Sequence, residues 1–488
     1  MILRVTGWLN RVSAHPNFYW VSTLLVTLLG ALFRFVNLAN PHVLVFDETY
    51  YVKDAYTIGL FGHEKQWVDN PNPDFEAGKL DGYLDEGAYV VHPPVGKWVI
   101  WVGLQLFGAT SSFGWRFSVA LLGTLAIPVL IAIARRLIGN RVFAVLAGLL
   151  LAIEGQSVVL ARTSILDGIL AFFVLLGFYF LVRDRQSMAR RLNRAWASNR
   201  DVTLSFRPWL VLMAFSLGLA TGVKWSGLYF LAVFGIWTFL SDWMVRQRLG
   251  LRTLPAFLQA SFNAVLLLAI ASTTYVISWS GWILSKGGWG REAKENWLES
   301  LWAYHQNAYT FHTGLSSEHP YQANALQWIL NLRPTAFYYE SFEGSECGAL
   351  ESCSIAITAL PNPIIWYTGV LAIIWLLWRS FRGRDLAGWL ILVGFLAGWA
   401  PWLLYISRTT FQFYSVVSSP FLILALVFAI HRFWRNGFVQ HRRLQREWSI
   451  GLLVLLALLA AIFFASLWMG LPVPYWFWRI QMWLPFWI

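Results

Sequence analysis

Charge is what this sequence has least of. Asp, Glu, Lys and Arg make up 13% of its 488 residues, against 57% hydrophobic ones, whereas a soluble domain carries about a quarter charged residues. That excludes a soluble globular chain and predicts a polytopic membrane protein. Cysteine is nearly absent: only Cys347 and Cys353 occur, with five residues between them in a polar segment. A metal site would need further ligands nearby, so in an oxidising compartment this spacing predicts a local disulfide. The stretch from Met1 to Pro16 has Arg4 and Arg11 but no acid, which places it in the cytoplasm. No small-residue cleavage pattern follows Ser22 to Val36, so the first apolar run is expected to be retained. A repeated half and polar residues near mid-span are also lacking, and a transporter would normally show both.

What is present is a series of membrane-length apolar runs, with 30 Trp and 36 Phe of the kind that collect at headgroup level. The runs are Phe18–Leu38, Gly114–Ala134, Arg141–Ile153, Ile165–Val182, Pro208–Gly222, Ser226–Trp243, Phe257–Leu284, Pro363–Trp378, Leu386–Ile406, Phe411–Ile430 and Ser449–Met469. Trp98 to Phe107 is too short to span, since a crossing helix needs about twenty residues. It is expected to lie along the outer interface. Parity supports this, because only then do the arginine-rich loops fall on one side. The inner side then holds 23 Lys and Arg against five acids, leaving 14 against 20 outside. Orientation thus accounts for the net charge of +12 and removes the case for a nucleic-acid partner. The expectation is one membrane domain over 1–488, with eleven spans and two long external segments, 39–113 and 285–361.

The stretch that organises the chain is Val45-Phe46-Asp47-Glu48-Thr49-Tyr50-Tyr51, just beyond the first run. Two adjacent carboxylates at the membrane edge ask for a function. Asp47 could equally cap a helix beginning there. Further polar residues sit at outer span ends: Arg116, Glu154, Arg162, Asp167, Lys224 with Trp225, and Arg408. Six such charges from different spans, on the side of Asp47 and Glu48, predict a shared polar cavity. Cations there suit a lipid phosphate, Arg above all because its fork binds bidentately. A carboxylate facing the same cavity could act as a general base. Transfer of a sugar from a lipid phosphate needs only one, because the phosphate leaves without protonation.

The motifs Phe46-Asp47-Glu48, His92-Pro93-Pro94 with Gly96-Lys97, Trp115-Arg116-Phe117, Glu154 and Arg162-Thr163-Ser164-Ile165-Leu166-Asp167 resemble in order and spacing the protein O-mannosyltransferases of actinobacterial type. Gly222-Val223-Lys224-Trp225, His319-Pro320-Tyr321 and Arg408 to Tyr414 extend the likeness over nearly the whole chain. The resemblance implies an all-α integral membrane protein of the C-type glycosyltransferase fold, with about eleven spans and juxtamembrane helices in the first external loop. It implies a bacterial plasma-membrane enzyme, its active site external, that moves mannose from polyprenyl-phosphate-mannose to Ser or Thr of translocating proteins, beside the secretion translocon. No cofactor or metal is implied. Asp47 would be the base and Glu48 would position acceptor or sugar. Arg116, Arg408, Lys224 and Arg162 would bind the donor phosphate, with His92, Lys97, Glu154, Asp167, Trp225, His319 and Tyr414 supporting. Segment 285–361 is too short for the β-trefoil of eukaryotic members. A related transferase acting on a lipid or glycan is the main alternative.

Overall fold

A computed structural model describes residues 15–199, 204–347, 351–383, 385–435 and 440–488. The N-terminal segment with Arg4 and Arg11 lies outside them, as do Arg200, Asp201 and Arg384 and the side chains of Arg442 and Arg443. Helices dominate. Among the described residues, eight are long and apolar enough to cross a membrane: Phe18–Phe35, Ser112–Ile138, Leu166–Ala197, Gly227–Arg248, Leu254–Ser278, Pro363–Arg382, Leu386–Tyr405 and Leu444–Met469. Three further runs expected to span form shorter helices, Arg141–Ala152, Pro208–Val223 and Ser419–Arg435.

Helix ends follow local chemistry. Ser112–Ile138 starts at Ser111, whose hydroxyl accepts from the Gly114 amide, and stops at Gly139, where φ is +80°, a conformation glycine adopts without penalty. Pro208 opens its helix at the position where its missing N–H costs nothing. Two expected spans have different boundaries. Leu386–Trp399 continues only as a 3-10 turn, Ala400–Tyr405. The run beginning at Phe411 first forms a 3-10 turn, Gln412–Val417, and becomes a helix at Ser419. The rings of Phe411 and Phe413 stack on each other beside Phe46, so this stretch packs against the segment that follows the first helix.

Val95–Phe107 is a 13-residue helix. It buries Val95, Lys97, Ile100 and Leu104 and leaves Val102, Leu106 and Phe107 exposed. Against the bundle its backbone closes on Ser112–Ile138: a Cβ on Gly103 would stand 2.3 Å from the Gly114 carbonyl. The same close approach joins Pro208–Val223 to Leu254–Ser278, where a Cβ on Gly218 would lie 2.9 Å from the Ala271 carbonyl. Small residues let membrane helices pack through van der Waals contact where lipid supplies no hydrophobic drive.

At the arginine-rich end, the buried Asp184, Arg207 and Asp242 and the half-buried Arg185 tie three helices. Arg185 reaches Asp184 and Asp242 at 2.6 Å each, and Arg207 bonds Asp242 at 2.6 Å and both oxygens of Asp184. Each charge has an opposite partner, which is the condition for keeping charges in a dry interior.

The two long segments between helices carry the strands. β1 (Lys65–Trp67) pairs antiparallel with β2 (Tyr83–Gly87), and β3 (Ala336–Glu343) with β4 (Ser352–Thr358). Neither hairpin was assigned from sequence, where the chain reads as helical throughout. Cys347 and Cys353 form the expected disulfide, with Cα atoms 5.5 Å apart, across the β3–β4 turn.

Candidate active site

The site starts where the first helix ends. Leu38 to Asp47 has no regular structure of its own, so its carbonyls need partners. Arg116, one turn into Ser112–Ile138, supplies them. Its Nη1 donates to the carbonyls of Leu38 (3.2 Å) and Pro41 (2.9 Å), and its Nη2 to that of Val43 (2.9 Å). The remaining donors make a bidentate pair with Glu48, Nε to Oε1 at 2.9 Å and Nη2 to Oε2 at 2.8 Å. All five guanidinium N–H groups are therefore used. Glu48 also accepts the backbone amides of Ser164 (2.8 Å) and Val45 (3.0 Å), and is wholly buried.

Two expectations meet a different geometry here. Arg116 has no donor left for a lipid phosphate, and the Glu48 carboxylate is saturated by four donors rather than presented to a substrate. Arg162 and Glu154 differ from expectation in the same way. Arg162 donates to the carbonyls of Phe33, Arg34, Val36, Asn37 and Met469, satisfying the open C-terminal end of Phe18–Phe35. Glu154 caps Gly155–Leu160 by accepting the amides of Gln156 and Ser157, and it also takes that of Asn362. Lys97 pairs with Glu64 and donates to the His92 carbonyl at 3.0 Å, while His319 packs edge-on against Phe46 and Phe411. None of these six lines the cavity described next.

Asp47 is different. It occupies the N-cap position of Glu48–Phe61, yet its side chain makes no capping bond. Among the described residues its one hydrogen bond is from the Tyr51 hydroxyl, one turn on, at 3.5 Å. The preceding Phe46 has φ +49°, a left-handed conformation uncommon for a bulky residue. The aromatic cage of Phe337, Phe411, Phe413 and His319 holds it there. Strain so enforced typically marks a functional position. Burial pushes the Asp47 carboxyl up to about 6, the Lys224 cation opposing and the Asp167 carboxylate reinforcing that shift.

Lys224 and Asp167 pair at 2.7 Å and line a cavity of about 140 Å³ together with His92, Trp225, His312, Arg408 and Tyr414. Lys224 also sits 4.7 Å above the Tyr414 ring. Arg408 donates to the His312 carbonyl (3.0 Å), to His312 Nδ1 (3.2 Å) and weakly to the Thr409 carbonyl. Two of its N–H groups are left over, and among the described residues it has no carboxylate partner. His312 was not anticipated. Its Nε2 lies 3.0 Å from the Val91 carbonyl, which can only accept, so Nε2 carries the proton and the Nδ1 lone pair takes the Arg408 bond. Burial lowers His312 to about 4 and holds His92 well below the ordinary imidazole range, so both rings are neutral. The only sequence signal for His312 is its seven-residue spacing from His305 on one helix face.

The cavity thus holds two cations, one of them without a carboxylate partner, beside the unengaged Asp47. The family described as dolichyl-phosphate-mannose-protein mannosyltransferase matches residues 24–284, and the C-terminal four-transmembrane region of protein-O-mannosyltransferase matches residues 297–487. The chain belongs to the protein O-mannosyltransferase family. The polyprenol-phosphate-mannose–protein mannosyltransferase of Mycobacterium tuberculosis is 32% identical over 96% of this chain and 92% of its own length. That of Corynebacterium glutamicum is 31% identical over 97% and 95%. In three dimensions the chain is similar to the Saccharomyces cerevisiae Pmt1–Pmt2 complex bound to the sugar donor, with a TM-score of 0.74 at 13% identity over 96% of this chain and 92% of that one. ArnT from Cupriavidus metallidurans bound to undecaprenyl phosphate gives 0.53 at 18% identity over 94% and 76%. These likenesses establish the C-type glycosyltransferase fold.

The family's adjacent acids separate by contact. Glu48→Gln should destabilise the protein by roughly 3 kcal/mol or more, because Arg116 would be left buried without its counter-charge. Asp47→Asn should leave thermal unfolding within about 0.5 kcal/mol of the parent, since nothing in the fold depends on its charge. Comparable losses in a thermal melt of the two variants would contradict the division.

Proposed function

We propose that the protein transfers mannose from polyprenyl-phosphate-mannose to Ser or Thr hydroxyls of proteins, with Asp47 as general base. The observation that carries this reading is the Asp47 carboxylate: half-buried, uncapped and, among the described residues, hydrogen-bonded only to Tyr51, beside a cavity that holds Lys224 and Arg408. The donor phosphate sits against Arg408 and Lys224, whose unused N–H groups match its oxygens. His92 and His312, neutral and partly buried, supply polarity without competing for charge. Asp167 holds the Lys224 ammonium in place, and Trp225 and Tyr414 shape the apolar wall.

In the reaction the acceptor oxygen bonds to the anomeric carbon as the carbon–phosphate oxygen bond breaks. The hydroxyl proton passes to Asp47, and the polyprenyl phosphate leaves as an anion held by the two cations. A single displacement inverts the anomeric configuration. The raised Asp47 value suits the task, because a base is most effective when its pKa is near the working pH.

We infer further that the chain crosses a bacterial plasma membrane eleven times, with its arginine-rich ends inside and the Asp47 cavity outside. The short helices Arg141–Ala152, Pro208–Val223 and Ser419–Arg435 count as spans in this reading. Single cysteines placed between Arg183 and Arg194 should resist an impermeant thiol reagent in intact cells and react only after lysis, whereas cysteines at Glu340 or Ser341 should react in both. Labelling of the first set in intact cells would invert the orientation.

Two measurements test the chemistry. Asp47→Asn should lower kcat by about a hundredfold to ten-thousandfold while still binding donor. In the parent, the working form of Asp47 is the carboxylate, so the rate should fall as pH drops through about 6 and approach a tenfold loss per unit below it. The variant should lose that limb, and parent-like turnover in Asp47→Asn would remove the assignment. Arg408→Lys keeps the charge but loses the fork, so the KM for donor should rise about tenfold. An unchanged donor KM would place the phosphate elsewhere.

A further inference from the structure

The β3–β4 hairpin has one covered edge and one free edge. On the covered side, the Ser354 amide donates to Val473 at 2.8 Å and the Val473 amide returns to Ser354 at 3.1 Å. Both backbone groups of Ser354 therefore point away from β3. Ser354 lies opposite Ser341 in a register that is unbroken from Tyr338 to Glu343. Opposed residues of an antiparallel pair either exchange both their bonds or neither, so the N–H and C=O of Ser341 also point away from β4. Alternation gives the same direction to Tyr339 and Glu343. Among the described residues, nothing is hydrogen-bonded to the backbone groups of these three.

Tyr339, Ser341 and Glu343 are exposed. Polar side chains along β3 mark the edge as water-facing rather than lipid-facing. Its inner end reaches the active site: Phe337 stacks on Phe46, with ring centroids 5.0 Å apart, and Phe46 directly precedes Asp47. An exposed strand edge is a template for an added strand.

We propose that the free edge of β3 binds the acceptor polypeptide as an added strand, delivering its Ser or Thr to Asp47. This rests on the mannosyl-transfer reading above and names how the acceptor is held. Backbone pairing is sequence-tolerant, so the edge selects an extended, unfolded segment rather than a particular motif. The disulfide across the β3–β4 turn and the Ser354–Val473 bridge fix the hairpin from the other side, leaving the template rigid before the acceptor arrives.

The test uses the full chain in lipid nanodiscs with polyprenyl-phosphate-mannose and a peptide holding a single Thr. Analogues carry one backbone N-methyl group at successive positions, which deletes a donor without touching a side chain. The peptide KM should rise about fivefold or more at alternate positions and hold steady at those between, since each lost backbone bond is worth about that factor. A flat or non-alternating response would overturn the proposal. Ser341→Pro removes an outward N–H but no β4 bond, so it should raise the peptide KM and leave the donor KM and the melting temperature unchanged. Ser341→Ala, which keeps the amide, should match the parent. If Ser341→Pro keeps the parent's peptide KM but loses self-association, the edge belongs to a second copy and the proposal falls. Absence of transfer to the unmodified peptide would sink the mannosyl-transfer reading itself, whereas transfer without alternation sinks only the added strand.

Discussion

The Arg116–Glu48 pair is the contact on which the rest of the site depends. A guanidinium has five donors in a rigid plane, and here two meet a carboxylate while three gather the carbonyls of Leu38, Pro41 and Val43. The pair therefore dictates the course of the chain between the first membrane helix and the helix Glu48–Phe61. A buried ion pair need not add net stability, because desolvation offsets most of its attraction. Its effect here is geometric. With Glu48 anchored inward, the next residue back must face another way, and the left-handed Phe46 turns the Asp47 carboxylate free of the helix it begins.

The same logic recurs at other helix ends. Arg162 takes up the terminal carbonyls of Phe18–Phe35, and Arg34 those of Leu151 and Ala152 at the end of Arg141–Ala152. A soluble protein can leave such carbonyls to water. Near hydrocarbon that option is lost, and arginine supplies several donors per side chain. This explains why so many charges at these span ends serve the backbone. Only Asp167, Lys224 and Arg408 of the six expected there face the cavity.

The electrostatics of that cavity follow from which charges are already matched. Lys224 is balanced by Asp167, Arg408 is bonded to a neutral imidazole and to carbonyls, and both nearby histidines are held neutral by burial. The surplus is positive beside one raised carboxylate, an arrangement that favours a bound anion next to a proton acceptor. An adjoining strand edge with unpaired backbone groups gives the same site a means of holding an extended chain. Donor and acceptor would then approach Asp47 from different structural elements, the helix bundle and the β3–β4 hairpin.

Membrane class, the helical architecture, the disulfide and the family were legible in the sequence, because each rests on something local or additive. Low charge and apolar runs follow from the solvent a residue must face, cysteine spacing limits a short loop, and ordered motifs survive in the chain whatever their contacts. Which arginine binds what was not legible. Arg116, Arg162 and Arg408 look alike at span ends, and only folding brings Glu48 and a row of carbonyls to the first, a helix terminus to the second and a neutral histidine to the third. Asp47 and Glu48 are likewise equivalent as neighbours in a motif. Tertiary structure separates them, since a carboxylate's role is set by how many donors reach it, and those donors come from residues as distant in sequence as Ser164.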